Sequence, residues 1–103
     1  MFVARWTIKV KFGNKDSAMS LMRQWQKDVG VKAGFKPSQM QLLSGSIGEE
    51  SVIETNTPVQ SLAELEGMWA KMGKNPKHGR FSKKLKPFVV SGSNRWDILR
   101  VID

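Results

Sequence analysis

The chain opens on eleven residues of strict alternation, Phe2 to Phe12, reading Phe-Val-Ala-Arg-Trp-Thr-Ile-Lys-Val-Lys-Phe. Phe2, Ala4, Trp6, Ile8, Val10 and Phe12 fall on one side; Val3, Arg5, Thr7, Lys9 and Lys11 fall on the other. Successive side chains of a strand point to opposite faces, so a period of two this long, rich in aromatic and β-branched residues, predicts a β-strand. One face must be covered by other elements. The opposite face, mixed in character, must meet water, a ligand or a second subunit.

Helical and strand periods then alternate along the chain. Asn14 or Asp16 is placed to cap a helix running to about Val29, whose stripe is Ala18, Leu21, Met22, Trp25 and Val29. Gly30 is expected to end it, with Val31 to Pro37 as a connection. Strand-like segments within Ser38 to Ile47 and Ser51 to Thr57, separated by Gly45, Gly48, Glu49 and Glu50, predict a β-hairpin closed by Pro58. Ser61-Leu-Ala-Glu64 fits a capping box, in which the serine oxygen accepts a backbone N–H and the glutamate reaches back. The helix it starts should bury Leu62, Leu65, Trp69 and Met72 and stop at Gly73. Asn75-Pro76 restarts the chain as a short helix with Phe81 and Leu85 on its apolar edge, ending before Pro87. Arg95 to Ile102 is the last strand, with Trp96, Ile98 and Ile102 sharing one face with Arg100, and Leu99 and Val101 sharing the other with Asp97. Both faces look partly buried, and the pattern leaves open which one meets the helices.

This order predicts a single α+β domain over residues 1–103, a ferredoxin-like βαββαβ unit with a four-stranded antiparallel sheet and helices on one face. A chain of this length buries roughly 65% of its unfolded surface, enough for one core. Val3 and Leu43, with either Leu99 and Val101 or Trp96 and Ile98, would then lie on the bare face, and covering them favours a homodimer. There are no cysteines, which removes disulfides, thiolate metal sites and thiol catalysis. Neither a signal peptide nor a membrane span is visible, so a cytoplasmic location and no membrane partner are expected.

Net charge is +8, yet six of the seventeen basic residues, Lys74, Lys77, Arg80, Lys83, Lys84 and Lys86, lie in one acid-free segment. No nucleic-acid-reading motif accompanies them, so a solvated helix face is expected in preference to a nucleic-acid partner. His78, the single histidine, could act as acid, base or metal ligand, against the plainer reading of an exposed histidine in a basic loop. Trp6, Trp25, Trp69 and Trp96 fall one each on first strand, first helix, second helix and last strand; they are either core packing or the lining of a pocket for a flat ligand. Arg5 and Arg100 could hold an anionic group, with Asp97 as an alternative partner across a subunit boundary. No phosphate loop, serine triad or metal-ligand cluster can be assembled, so neither metal nor cofactor is expected.

The element order over nearly the whole chain, Trp69 on the second helix, the His78 to Leu85 connection and the closing Gly92-Ser-Asn-Arg-Trp-Asp-Ile-Leu-Arg-Val-Ile together resemble the dimeric α/β-barrel superfamily. That superfamily includes antibiotic-biosynthesis monooxygenase-like and NIPSNAP-like proteins. The resemblance implies two sheets meeting face to face between subunits, and a small ligand held between each sheet and its own helices, near Trp6 and Trp69. Some haem-degrading members pair a helix tryptophan with a histidine shortly after it, as Trp69 and His78 are placed. They add an asparagine on the first strand, where this chain has Arg5 and Thr7, so haem chemistry is not expected. The resemblance therefore implies a cofactor-free monooxygenase-like enzyme with Trp6, Trp69, Trp96 and Arg5 binding the ligand and His78 at the chemistry. A non-catalytic ligand-binding or stress-response module is the alternative, and nucleic-acid binding through residues 74–86 comes third.

Overall fold

In the computed structural model, which describes residues 1–102, four strands form one sheet. They are β1 Phe2–Lys9, β2 Gln41–Ser44, β3 Val52–Val59 and β4 Arg95–Arg100, in the order β2-β3-β1-β4. Every neighbouring pair is antiparallel. This is the ferredoxin-like arrangement, with α1 Lys15–Trp25, α2 Val31–Ala33, α3 Leu62–Lys74 and α4 Pro76–Leu85 as its helices. Partners across a ladder point to the same face, so the register fixes both sides of the sheet. Ile8 opposite Ile53, Trp6 opposite Thr55 and Trp96, and Ala4 opposite Thr57 and Ile98 form the helix-covered side. Trp96, Ile98 and Arg100 of β4 thus face the helices, and Asp97 and Leu99 share the bare side with Val3 and Arg5.

Two apolar clusters hold the helices to that side. Ala4 and Val59 pack with Val29, Ala33, Phe35, Leu65, Met68 and Met72. Ile8, Val10 and Ile53 pack with Ala18. Helix α3 is capped as its sequence requires: Glu64 N–H donates to Ser61 Oγ at 3.1 Å, while Glu64 Oε2 accepts from the N–H of Gln60 at 2.9 Å. Its buried stripe is Leu65, Met68 and Met72; Leu62 is half exposed, and Gly73 lies inside the helix rather than after it.

Two local expectations fail for identifiable reasons. β1 ends at Lys9, because Val10 bridges to Val89 and the Lys11 N–H donates to Phe88 O, after which Gly13 at φ +85° turns the chain. Phe12 therefore points into solvent instead of sharing the buried face. Gly30 does not stop the first helix. The backbone widens into a π-helical turn over Gln26–Gly30, with Val31 N–H reaching back five residues to Gln26 O, and then continues through α2. The true stop is Gly34 at φ +105°, closed by Gly34 N–H to Val31 O and Phe35 N–H to Gly30 O, a Schellman pair that also buries Phe35. Gly30 sits close under the Trp25 ring: a Cβ there would lie 3.2 Å from its Cζ3, so the ring would have to shift by a few tenths of an ångström.

Candidate functional site

Between the sheet and its own helices lies a cleft of 460 Å³. Its floor is sheet, from Trp6, Thr55, Thr57 and Trp96; its roof is helix, from Met22 and Trp25 of α1, Trp69 and Met72 of α3, and His78, Phe81 and Leu85 of α4. All four tryptophans line it, and none is among the fully buried core residues. Three of them form a connected aromatic wall: Trp69 meets Trp96 edge-on at 5.2 Å between centroids and 64°, and Trp6 lies 6.5 Å from Trp96. Such tilted pairs are a favourable arrangement of ring quadrupoles. Among the described residues no charged side chain lines the cleft.

The polar groups are few. Trp25 Nε1–H donates to His78 Nδ1 at 3.0 Å, with the rings edge-to-face at 6.2 Å. The turn before α4 holds that geometry. Asn75 Oδ1 accepts from the N–H of Lys77 at 3.0 Å and its Nδ2 donates to Asp28 O at 3.5 Å, tying the start of α4 to the π-turn after Trp25. Pro76 supplies the first helical turn, and Ser82 Oγ donates to His78 O at 3.1 Å. A neutral imidazole has one donor and one acceptor nitrogen. With Nδ1 accepting, Nε2 carries the proton, and His78 is presented as a hydrogen-bond donor. That state does not fit an axial haem ligand: coordination through Nε2 would move the proton to Nδ1, against the indole N–H. Among the described residues no group of three or more His, Asp or Glu side chains is arranged to hold a metal ion. The Trp69 Nε1–H is buried without an acceptor among the described residues.

Of the residues singled out from sequence, Trp6, Trp69, Trp96 and His78 come together at this cleft. Arg5 does not. It lies on the opposite side of the sheet, where its Nε is 2.5 Å from Glu54 and 3.2 Å from Asn56 Oδ1. Arg100 lies with its guanidinium 5.3 Å from the Phe2 ring, and Asp97 pairs with Arg95 at 3.0 Å rather than with either of those arginines. Sequence reasoning passed over Thr55 and Thr57, buried at 4% and 3% exposure, as wall residues. A usable signal was present: both share the parity of Ile53 and Val59 in β3, so they are polar residues at core-facing strand positions. Asn94, also in the wall, sits in a loop with no periodicity to place it.

Replacing Trp25 with Phe keeps most of the packing and deletes the donor to His78. The expected result is a His78 ring that exchanges between tautomers, read as averaging of its two ¹⁵N shifts, at a stability cost of about 1 kcal/mol. Unchanged ring-nitrogen shifts would show that the indole does not set the tautomer.

No protein-family model matches the chain, and no curated protein matches it. Solved structures do. A NIPSNAP family protein from Agrobacterium tumefaciens superposes with a TM-score of 0.83 at 16% identity, covering 99% of this chain and 93% of that one. An uncharacterised NIPSNAP domain protein from Burkholderia xenovorans gives 0.75 at 10% identity, over 99% and 95%. An antibiotic biosynthesis monooxygenase gives 0.72 at 9% identity, over the full length of both chains. At these identities the likeness is one of fold, and it spans essentially the whole chain: the protein has the ferredoxin-like α+β fold of NIPSNAP and antibiotic biosynthesis monooxygenase structures.

Proposed function

We propose that this protein binds a small, flat, apolar or aromatic molecule carrying a hydrogen-bond acceptor, in the cleft between its sheet and its helices. The observation that carries this reading is a 460 Å³ uncharged cleft lined by all four tryptophans, with His78 locked as a donor at its wall. The aromatic wall supplies area for a planar guest, and the Nε2–H of His78 orients an oxygen on it. In this reading Arg5 has no part in binding.

The likeness to an antibiotic biosynthesis monooxygenase supports a catalytic extension, in which an electron-rich guest reacts with oxygen without a cofactor. His78 then orients the reacting oxygen and does not begin as a base, because its free lone pair is occupied by the Trp25 N–H. The test is titration with 1,4-naphthoquinone and with its quinol, followed by tryptophan fluorescence. Quenching that saturates is expected, with Trp69→Ala and Trp96→Ala each weakening binding about 3–10-fold, the size of a lost aromatic pair. Arg5→Gln should bind as the unaltered protein does. No saturable quenching by either compound would end the binding proposal; binding without oxygen uptake in the presence of quinol would end the catalytic one alone.

The same reading takes the protein as a homodimer joined through the bare sheet face. Leu43, Leu99 and Val101 are each about two-fifths exposed there, around the Arg5–Glu54 and Arg95–Asp97 ion pairs. Apolar side chains between internally neutralised charges suit a face that is covered in the assembly. Leu99→Asp is expected to give a monomer in sedimentation velocity with its melting curve still cooperative. A wild-type protein that sediments as a monomer at all accessible concentrations contradicts this.

A further inference from the structure

The end of the molecule at which β1 runs out carries two large apolar side chains standing free in solvent. Phe12 is 104% exposed and Ile47 is 97% exposed, and each is next to a glycine of positive φ, Gly13 and Gly48. The two tips belong to one end. Lys15 Nζ, three residues from Phe12, donates to Gly45 O and Glu50 O at 2.5 Å each, fastening the β2–β3 loop that bears Ile47 to the start of α1. Val10 N–H donates to Ser51 O at 2.9 Å, and Lys11 N–H donates to Phe88 O at 2.8 Å, which brings the 3-10 turn Lys86–Phe88 that continues α4 to the same place. Lys11, Lys83 and Lys86 are exposed there with no ion pair among the described residues, whereas Lys9 lies 3.9 Å from Glu49 and Lys84 lies over the Phe81 ring.

We infer that this end is a peripheral docking surface for an anionic lipid membrane. Phe12 and Ile47 enter the interfacial layer while Lys11, Lys83 and Lys86 meet headgroup phosphates. The occupant follows from charge and shape. The exposed acids Asp16, Glu49 and Glu50 of the same end are outnumbered by Lys9, Lys11, Lys15, Lys83 and Lys86, which leaves it net positive and suited to an anionic partner, and a second copy docked end to end would show in the oligomeric state. Two separate protruding tips offer no continuous groove for a peptide, whereas a lipid surface accepts isolated apolar side chains and rewards the cations between them. No helix among the described residues is long and apolar enough to cross a membrane, so the contact is with the surface. The inference stands apart from the identity of the cleft ligand. The sequence obscures it, because Phe12 reads as the end of a buried stripe and Ile47 as part of a strand.

The experiment is co-sedimentation of the full chain with phosphatidylcholine vesicles containing phosphatidylglycerol, and with phosphatidylcholine alone. Partition onto the anionic vesicles is expected, together with little onto neutral ones and loss at about 0.5 M salt, where the Debye length is only a few ångströms. Phe12→Ser with Ile47→Ser, and separately Lys11→Gln with Lys83→Gln and Lys86→Gln, should each weaken partition about tenfold or more. All five positions are exposed, so circular dichroism should report folded variants. No partition, equal partition onto both vesicle types, or either variant binding like the wild type would overturn the inference, as would a change of oligomeric state in the Phe12, Ile47 variant.

Discussion

Replacing Gly45 with alanine is expected to lower the melting temperature by about 10–20 °C, equivalent to a loss of about 2–4 kcal/mol. The backbone angle is not the reason, since Gly45 is not among the glycines of positive φ. The reason is space: a Cβ there would lie 1.9 Å from the backbone oxygen of Glu49 and 3.0 Å from Glu50 Cα. A flexible side chain could swing away, but a backbone carbonyl in a short loop cannot. Relief would require moving a segment whose two ends are held. Gly45 N–H donates to Val52 O at 2.9 Å, and its carbonyl accepts from Lys15 at 2.5 Å. Gly48 provides the control. Its φ is +90°, and no described residue lies within 4 Å of where a Cβ would stand, so alanine there meets only left-handed strain, about 1 kcal/mol. Thermal melts of the two variants separate packing from backbone strain; equal losses would show that the close approach at Gly45 relaxes freely.

Ile53→Ala is the second large effect, expected to cost about 3–4 kcal/mol in chemical denaturation. Ile53 has no exposed surface, sits near the start of β3, and faces Ile8 across the ladder in the cluster that anchors α1 through Ala18. Truncation removes apolar atoms from a site closed by β-sheet on one side and helix on the other, so the surroundings have little freedom to fill the gap. Leu62→Ala makes the contrast. Leu62 falls on the same apparent stripe as Leu65 in sequence, but it is 49% exposed, and its truncation should stay within about 0.5 kcal/mol. A comparable loss at the two positions would mean that the second cluster is not tightly packed.

That pair of leucines also marks where reading from sequence stops. β1, α1 and α3 were legible because each rests on a period set by local backbone geometry, two in β1 and between three and four in α1 and α3; the β2–β3 hairpin was legible from its turn residues, and the one-sided sheet from the order of elements. The cap at Ser61 was legible because it too is local, its oxygen accepting from an N–H three residues away; Asn14 makes no side-chain cap hydrogen bond, and Asn75, which caps α4 by accepting from Lys77 N–H, was read only as the restart before Pro76. The stops at glycine were not legible. Gly30 and Gly73 lie within helical turns, since what ends a helix is a conformation, and among these positions only Gly34 has the positive φ that closes the Schellman pair.

The candidate site divides in the same manner. Trp6, Trp69, Trp96 and His78 could be named from sequence because each tryptophan or histidine is conspicuous on its own element. Their meeting in one cleft, and the exclusion of Arg5 to the far side of the sheet, depend on registers between residues far apart in the chain, such as Trp6 with Thr55 and with Trp96. The indole that fixes the His78 tautomer is likewise 53 residues away in the chain. Hence the sequence by itself determined the elements, their order and which face of β1 is apolar, all consequences of steric preferences within a few residues. Only the tertiary structure decided which side of β4 meets the helices, where Phe12 and Ile47 point, and that four tryptophans surround space rather than fill it. Those outcomes arise from packing between distant segments, and no local period encodes them.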